Sequence, residues 1–401
     1  MGVQRAGPGI GAALPARFKW ICLGWLLVAM AWGALLRWHA LAPVAGLNYR
    51  FGLHTHSHIA LLGWGVMGLY VLLAEQFVKA ERIRSLRRLF CFLQLCLLGM
   101  LLSFPFQGYG AVSIVASTLF VFGTYLFSWW LYRDVGDEDI NTRLMARSAA
   151  VFLALSSIGP YLVGYFKAKG LEAHPGYANS LYFYLHFLYN GFFVSAMLAL
   201  LFRKANPERL KRLPRFELPL FLTGVSVSYF LSVLWMGPHP LYYSLGAASA
   251  ALQLMILLRW TRALGLFGTR QLSMGIKFVV ALLVAKMSIQ LVSAFPEIAN
   301  WVFVTQIYTI IGYIHFVMLG IMTPFLFLSL FPEAASRQWS RWGGVLYFAG
   351  FLLTEALLFG AGLWSEVRSA LPYRELLVAG YGVLIAGALA VALGARKQAA
   401  A

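Results

Sequence analysis

Eight histidines carry most of the chemistry available to this chain. Three of them, His58, His186 and His315, stand 128 and 129 residues apart (58 to 186, then 186 to 315). Each is followed five positions later by a glycine: Gly63, Gly191 and Gly320. Imidazole is the commonest metal-binding side chain and the usual axial ligand of haem iron. Glycine lets a flat macrocycle come close to a helix. A period this long implies three related blocks instead of a small solenoid unit.

Other polar residues gather around these markers. His54, His56 and His58 alternate, and at about 100° per residue His54 and His58 share a helix face while His56 points nearly opposite. One face could ligate a haem while His56 reaches a second ligand or a metal. Tyr182, His186, Tyr189 and Asn190 line one face of a later helix, where His186 could bind a metal or relay a proton. Tyr308, Gly312, Tyr313 and His315 lie together further on, with His315 the candidate for a buried axial ligand. Lys286 and Glu355 are expected at a common depth in the outer half of the membrane, where isolated charges are costly, so an ion pair or a place on a proton path is expected.

The elements that position these residues follow from composition. Of 401 residues, 61% are hydrophobic and 11% charged, against roughly a quarter charged in a soluble domain. The pattern predicts an all-α polytopic membrane protein, because helices satisfy their own backbone in lipid. Twelve apolar windows fall near 20–38, 53–75, 88–104, 110–132, 147–167, 180–202, 216–236, 240–259, 273–295, 301–330, 342–363 and 373–394. Residues 1–401 form one transmembrane domain with pseudo-repeats near 20–132, 147–259 and 273–394.

Charge supports this count. With the amino terminus inside, 24 of the 32 Lys and Arg residues fall in inner segments, six in outer ones, and Lys277 and Lys286 within the ninth window. This is the bias that membrane insertion imposes. It also explains the net charge of +18 without a nucleic-acid partner. All eight histidines fall in the outer half. The expected location is a bacterial inner membrane, with both termini cytoplasmic. Cys22, Cys91 and Cys96 lie in apolar runs, and the chain has no Cys-x-x-Cys-His for covalent haem attachment.

Twelve spans, four-helix pseudo-repeats, and histidines on the second, sixth and tenth spans resemble subunit I of the haem–copper oxidase superfamily, which includes cytochrome oxidases and nitric oxide reductases. His56-Ser57-His58-Ile59-Ala60-Leu61-Leu62-Gly63-Trp64 is similar to a segment of the cbb-type branch, where it belongs to the tenth helix. His54-Thr55 resembles the start of that family's second helix, and His186 through Gly191-Phe192-Phe193 resembles its copper-ligand segment. The resemblance implies a low-spin haem held by His54 or His58 together with His315. It also makes His186 a match to a copper ligand. The chain departs from the pattern at Tyr313, where the family has a histidine, and on the seventh span, which lacks an adjacent histidine pair; His239 lies just beyond it. His56, His58 and Gly63 also resemble an early motif of NnrS-like proteins, which are associated with the response to nitric oxide.

These resemblances imply one haem b, with a second haem or copper flanked by His56 and His186. Gly63 and Gly320 would make room for the macrocycle. The implied chemistry is electron transfer, or handling of nitric oxide or oxygen, with an electron-donor subunit or cytochrome and membrane lipid as partners. Tyr182, Tyr189, Asn190, Tyr308, Tyr313, Lys286 and Glu355 would tune the pocket or carry protons. A sensor or assembly relative without catalysis, and a metal or proton transporter, are the alternatives. The sequence leaves open whether the chain is an enzyme.

Overall fold

The computed structural model describes residues 13–399 apart from 137, 238, 270–271, 305, 333–337 and 371. The described residues include twelve helices long and apolar enough to cross a membrane. In order they are Arg17–Leu41, Tyr49–Phe77, Ala80–Gln107, Ala111–Asp134, Ile140–Ala168, Pro175–Lys204, Glu217–Met236, Pro240–Ala263, Met274–Val292, Ile307–Leu330, Arg341–Leu363 and Tyr373–Arg396. The protein is an all-α polytopic membrane protein, as the apolar windows predict. In and before the tenth window, helix covers Pro296–Val304 and Gln306–His315. Arg5, Arg270 and Arg337, counted among the inner cations, lie outside the described residues.

The helices cluster into two compact units. The first is built mainly from Leu72–Leu86 and Gly123–Val304, and so holds spans five to nine. Its most buried span is the sixth: Leu188, Phe192, Phe193, Ala196, Met197 and Phe202 are almost wholly enclosed. The second unit comprises Pro15–Val71, Arg87–Phe122 and Thr305–Ala401. Within it the second and tenth spans are pinned together by a hydrogen bond from Trp64 Nε1 to Thr323 Oγ1 (2.9 Å). They close in further at Gly68, where an added Cβ would meet Leu326 Cδ1 at 2.9 Å.

The three marker spans share a backbone feature. Each begins as α-helix up to its marker histidine: Tyr49–His58, Pro175–His186 and Gln306–His315. Each then widens into a π-helix at the next residue: Ile59–Val66, Phe187–Phe193 and Phe316–Met322. α-Helix resumes afterwards. π-Helical stretches are rare, usually last a single turn, and gather at functional sites.

Each marker glycine lies inside its π segment, and the room it leaves is taken by an aromatic ring of the chain itself. A Cβ at Gly63 would meet Trp25 at 3.0 Å, one at Gly191 would meet Phe152 Cγ at 2.7 Å, and one at Gly320 would meet Phe351 Cζ at 2.7 Å. At Gly63 and Gly320 the neighbour is therefore protein, where the sequence suggested a macrocycle. Widening the helix and removing the Cβ together let the adjacent span seat a ring against the backbone.

Candidate functional site

Three histidines at or beyond the ends of spans have local duties. His39 Nδ1 accepts from Val44 N–H (3.0 Å) and shapes the turn after the first span. His174 and His239 each cap the start of a span, accepting at Nδ1 from Gly176 N–H (3.0 Å) and Leu241 N–H (3.2 Å). Both precede a proline at the first helical position, where its missing N–H costs nothing. The other five histidines divide between the two units.

In the first unit, His186 is 3% exposed and both its ring nitrogens are engaged. Nε2 lies 2.8 Å from the Val225 carbonyl oxygen, which fixes it as the donor. Nδ1 then accepts from Asn190 Nδ2 at 3.1 Å. The Val225 carbonyl also accepts from Ser228 Oγ at 2.9 Å, where the seventh span tightens from α-helix to 3-10 helix. Asn190 Oδ1 accepts from Lys286 Nζ, and Lys286 also donates to Gln290 Oε1 at 2.8 Å. The Lys286 side chain is fully buried. Tyr182 packs on Trp235, and Tyr189, 3% exposed, packs on Phe193.

Lys286 thus takes its partners from Asn190 and Gln290, replacing the expected ion pair with Glu355. Gln290 lies one helical turn beyond Lys286 on the same span, and an amide oxygen there serves a buried ammonium without a carboxylate's desolvation cost. Among the described residues, no group of three or more His, Cys, Asp or Glu side chains is placed to hold a metal ion. His186, with both nitrogens committed, is bound into this network.

The second unit is arranged differently. His58 Nδ1 donates back to the His54 carbonyl of its own helix (2.8 Å). The His54 and His58 rings both lie against Phe104 and Tyr109, with His58 4.4 Å from the Phe104 centroid and His54 4.6 Å from that of Tyr109. The shared face read from the spacing is present, and it is lined with aromatics. His56 points the other way. Its Nδ1 donates to the Ala29 carbonyl on the first span at 2.9 Å, and its Cε1 sits 3.0 Å from where a Gly33 Cβ would be. Tyr381 Oη approaches the same point at 2.6 Å, so Gly33 makes room for both.

His56 and His315 lie within electrostatic reach of one another and of Arg37. Arg37 also acts on Glu355, Tyr373 and Tyr381, and its guanidinium carbon stands 4.2 Å from the centre of the Tyr381 ring. The polar atoms of this cluster are largely unanswered. Arg37 Nε, His315 Nδ1, both carboxylate oxygens of Glu355, and the hydroxyls of Tyr313 and Tyr373 are buried without a hydrogen-bond partner among the described residues. Leaving one such atom bare costs about 1–3 kcal/mol, more for a charged group. Several in one cluster call for an explanation, and a bound group is the economical one. Tyr308 sits at the edge, packed on Tyr373 and under Arg368.

An axial imidazole needs one nitrogen tied to an acceptor, so that the other presents its lone pair. His56 and His58 meet that condition, since the Nδ1 of each is held by a carbonyl. His315 does not show it, since its Nδ1 has no acceptor among the described residues; Arg37, whose Nε is buried, is a cation suited to a carboxylate side chain of a porphyrin. Arg37 and His56 could serve such a group. His186 could not, because both its nitrogens are used.

Sequence reasoning missed Arg37, Gly33 and Tyr381. A lone arginine near the outer end of the first span was the available signal for Arg37. Nothing in the sequence linked it to the twelfth span, where Tyr381 lies. No family model matches the chain, and neither does any curated protein.

Proposed function

We propose that the chain is a haem-binding integral membrane protein of the haem–copper oxidase subunit-I type. It would hold one b-type haem in the second unit through the imidazoles of His56 and His315. The observation that carries this reading is the cluster of buried, unanswered polar atoms around Arg37, His315 and Glu355. His56 supports it by donating Nδ1–H to the Ala29 carbonyl and leaving Nε2 for iron. His58 and His54, against Phe104 and Tyr109, would border the site or serve a second one.

When bound, the haem would supply one-electron chemistry or a place for nitric oxide or oxygen. The chain's own residues would do the rest. The Ala29 carbonyl orients His56. Arg37 would neutralise a porphyrin carboxylate, and Glu355 and Tyr313 would accept or donate a proton beside it. His186, Asn190 and Lys286 would brace the first unit, with no copper required at His186. A non-catalytic sensor or assembly role is the second reading, favoured by the full engagement of both His186 nitrogens.

The test is the visible spectrum of the detergent-purified protein, oxidised and dithionite-reduced, with a pyridine haemochrome assay. The reading expects sharp α and β bands on reduction. Protein that is colourless when made in haem-replete cells removes haem from the function.

A further inference from the structure

The charged end of the first unit holds a cleft of about 280 Å3, walled by the end of the sixth span and the segment after the eighth. Its lining includes Lys204, Asn206, Arg209, Gly265 and Thr269, with no acidic residue. The volume is at the small end for ligand pockets, which run roughly 300–1,000 Å3. It suits a phosphate group better than an extended organic molecule.

The cations of this end divide into two groups. Arg203 is answered: it pairs with Glu138 and donates Nε–H to Gln76 Oε1 at 2.9 Å. Lys211 pairs with Glu208 at 2.9 Å. The two that line the cleft have no carboxylate partner among the described residues. Arg209 is nevertheless fixed in place. Its Nη1 donates to the Leu264 carbonyl at 3.2 Å, and it occupies the space that a Gly265 side chain would need, 2.0 Å from that missing Cβ. Gly265 has φ +61°, so glycine is required there twice over, for its backbone and for the guanidinium. A chain that only needed positive charge at this face would not have to build a cation into a wall.

We propose that this cleft binds a phosphate group through Lys204 and Arg209, carried either by an anionic phospholipid at the membrane surface or by a free phosphate compound. Basic pockets at the cation-rich ends of spans are placed at the depth of lipid headgroups. The guanidinium offers N–H donors beyond the one given to Leu264, and the ammonium adds a mobile charge.

The experiment uses the full chain, purified and stripped of lipid. Retention of phosphatidylglycerol against phosphatidylcholine is read by native mass spectrometry, and the thermal midpoint is read with and without inorganic phosphate. The lipid form expects preferential retention of phosphatidylglycerol, weakened about fivefold by Lys204→Gln and preserved by Lys204→Arg. The free-phosphate form expects no lipid preference, with a midpoint raised by phosphate in the wild type and not in Lys204→Gln. Lys204 has no hydrogen-bond or ion-pair partner to lose among the described residues, so this variant is expected to fold. Ala205→Phe, which fills the cleft without altering charge, should abolish either effect. If wild type, Lys204→Gln and Ala205→Phe behave alike with both probes, the proposal is overturned.

Discussion

The His186 region and the His56–His315 region are built on the same backbone device and finished in opposite ways. Both have a histidine at the last α-helical residue, a π segment after it, and a glycine filled by a neighbour's ring. Around His186 a chain of hydrogen bonds passes from Lys286 through Asn190 and the imidazole to the Val225 carbonyl. Around His315 its own Nδ1, Arg37 Nε and both Glu355 carboxylate oxygens are buried without hydrogen-bond partners among the described residues. A buried polar network is stabilising when complete and costly when partial. The first set is therefore read as scaffold, and the second is where the proposed haem would sit.

The largest effect should come from the ligands of the open cluster. His315→Ala and His56→Ala are each expected to remove most of the reduced-minus-oxidised haem signal, whereas His58→Ala and His186→Ala should keep it. The measurement is haem content per folded protein, by pyridine haemochrome and monodispersity. A folded His56→Ala with full haem, beside a His58→Ala without it, would return the axial role to the aromatic-lined face.

Next in size is the shared device itself. Gly191→Ala drives a Cβ into Phe152 and Gly320→Ala drives one into Phe351, at 2.7 Å in each case. Overpacking of this kind costs about 1–3 kcal/mol. Thermal unfolding should show both variants destabilised, and Phe152→Leu should recover part of the loss in Gly191→Ala. Equal stability of all three proteins would mean that the rings are not seated where the structure puts them.

Much of this comparison was beyond the sequence for identifiable reasons. The spans were legible because each is a long apolar run bounded by charge, and the structure extends most of them by only a few residues. The π segments were not, because their residues are enclosed on all sides. Leu61, Trp64, Val66, Leu188, Phe192, Met318 and Ile321 are all buried, so no polar face remained to reveal a change of period. The alternation of His54, His56 and His58 showed that two faces existed. Which of them met His315 depended on the Ala29 carbonyl and Gly33 of another span, and no spacing rule reports that. Lys286 and Glu355 were legible as ionisable residues inside spans, but nothing in their positions named their partners.

Lys286 sharpens the closed side of the comparison. Lys286→Met removes a buried charge, which by itself can be neutral or stabilising. It also strips the Asn190 and Gln290 side-chain oxygens of their shared donor. We expect a net loss of about 1–3 kcal/mol from those two orphaned acceptors, with the haem spectrum unchanged. Chemical or thermal unfolding, read alongside the spectrum, separates the two readouts.

The smallest effect is expected at Glu355, and its sign is the informative part. In a completed network, losing a carboxylate destabilises the protein, because donors lose their acceptor. Both Glu355 oxygens lack a hydrogen-bond partner. Glu355→Met removes a carboxyl that is costly to bury and leaves no donor stranded, so the ligand-free protein should be unchanged or more stable by up to about 1 kcal/mol. The same substitution in haem-loaded protein removes a negative charge near the iron and should raise its midpoint potential. Destabilisation of the ligand-free variant would show that Glu355 is already answered within the protein, and the open cluster would then resemble the closed one.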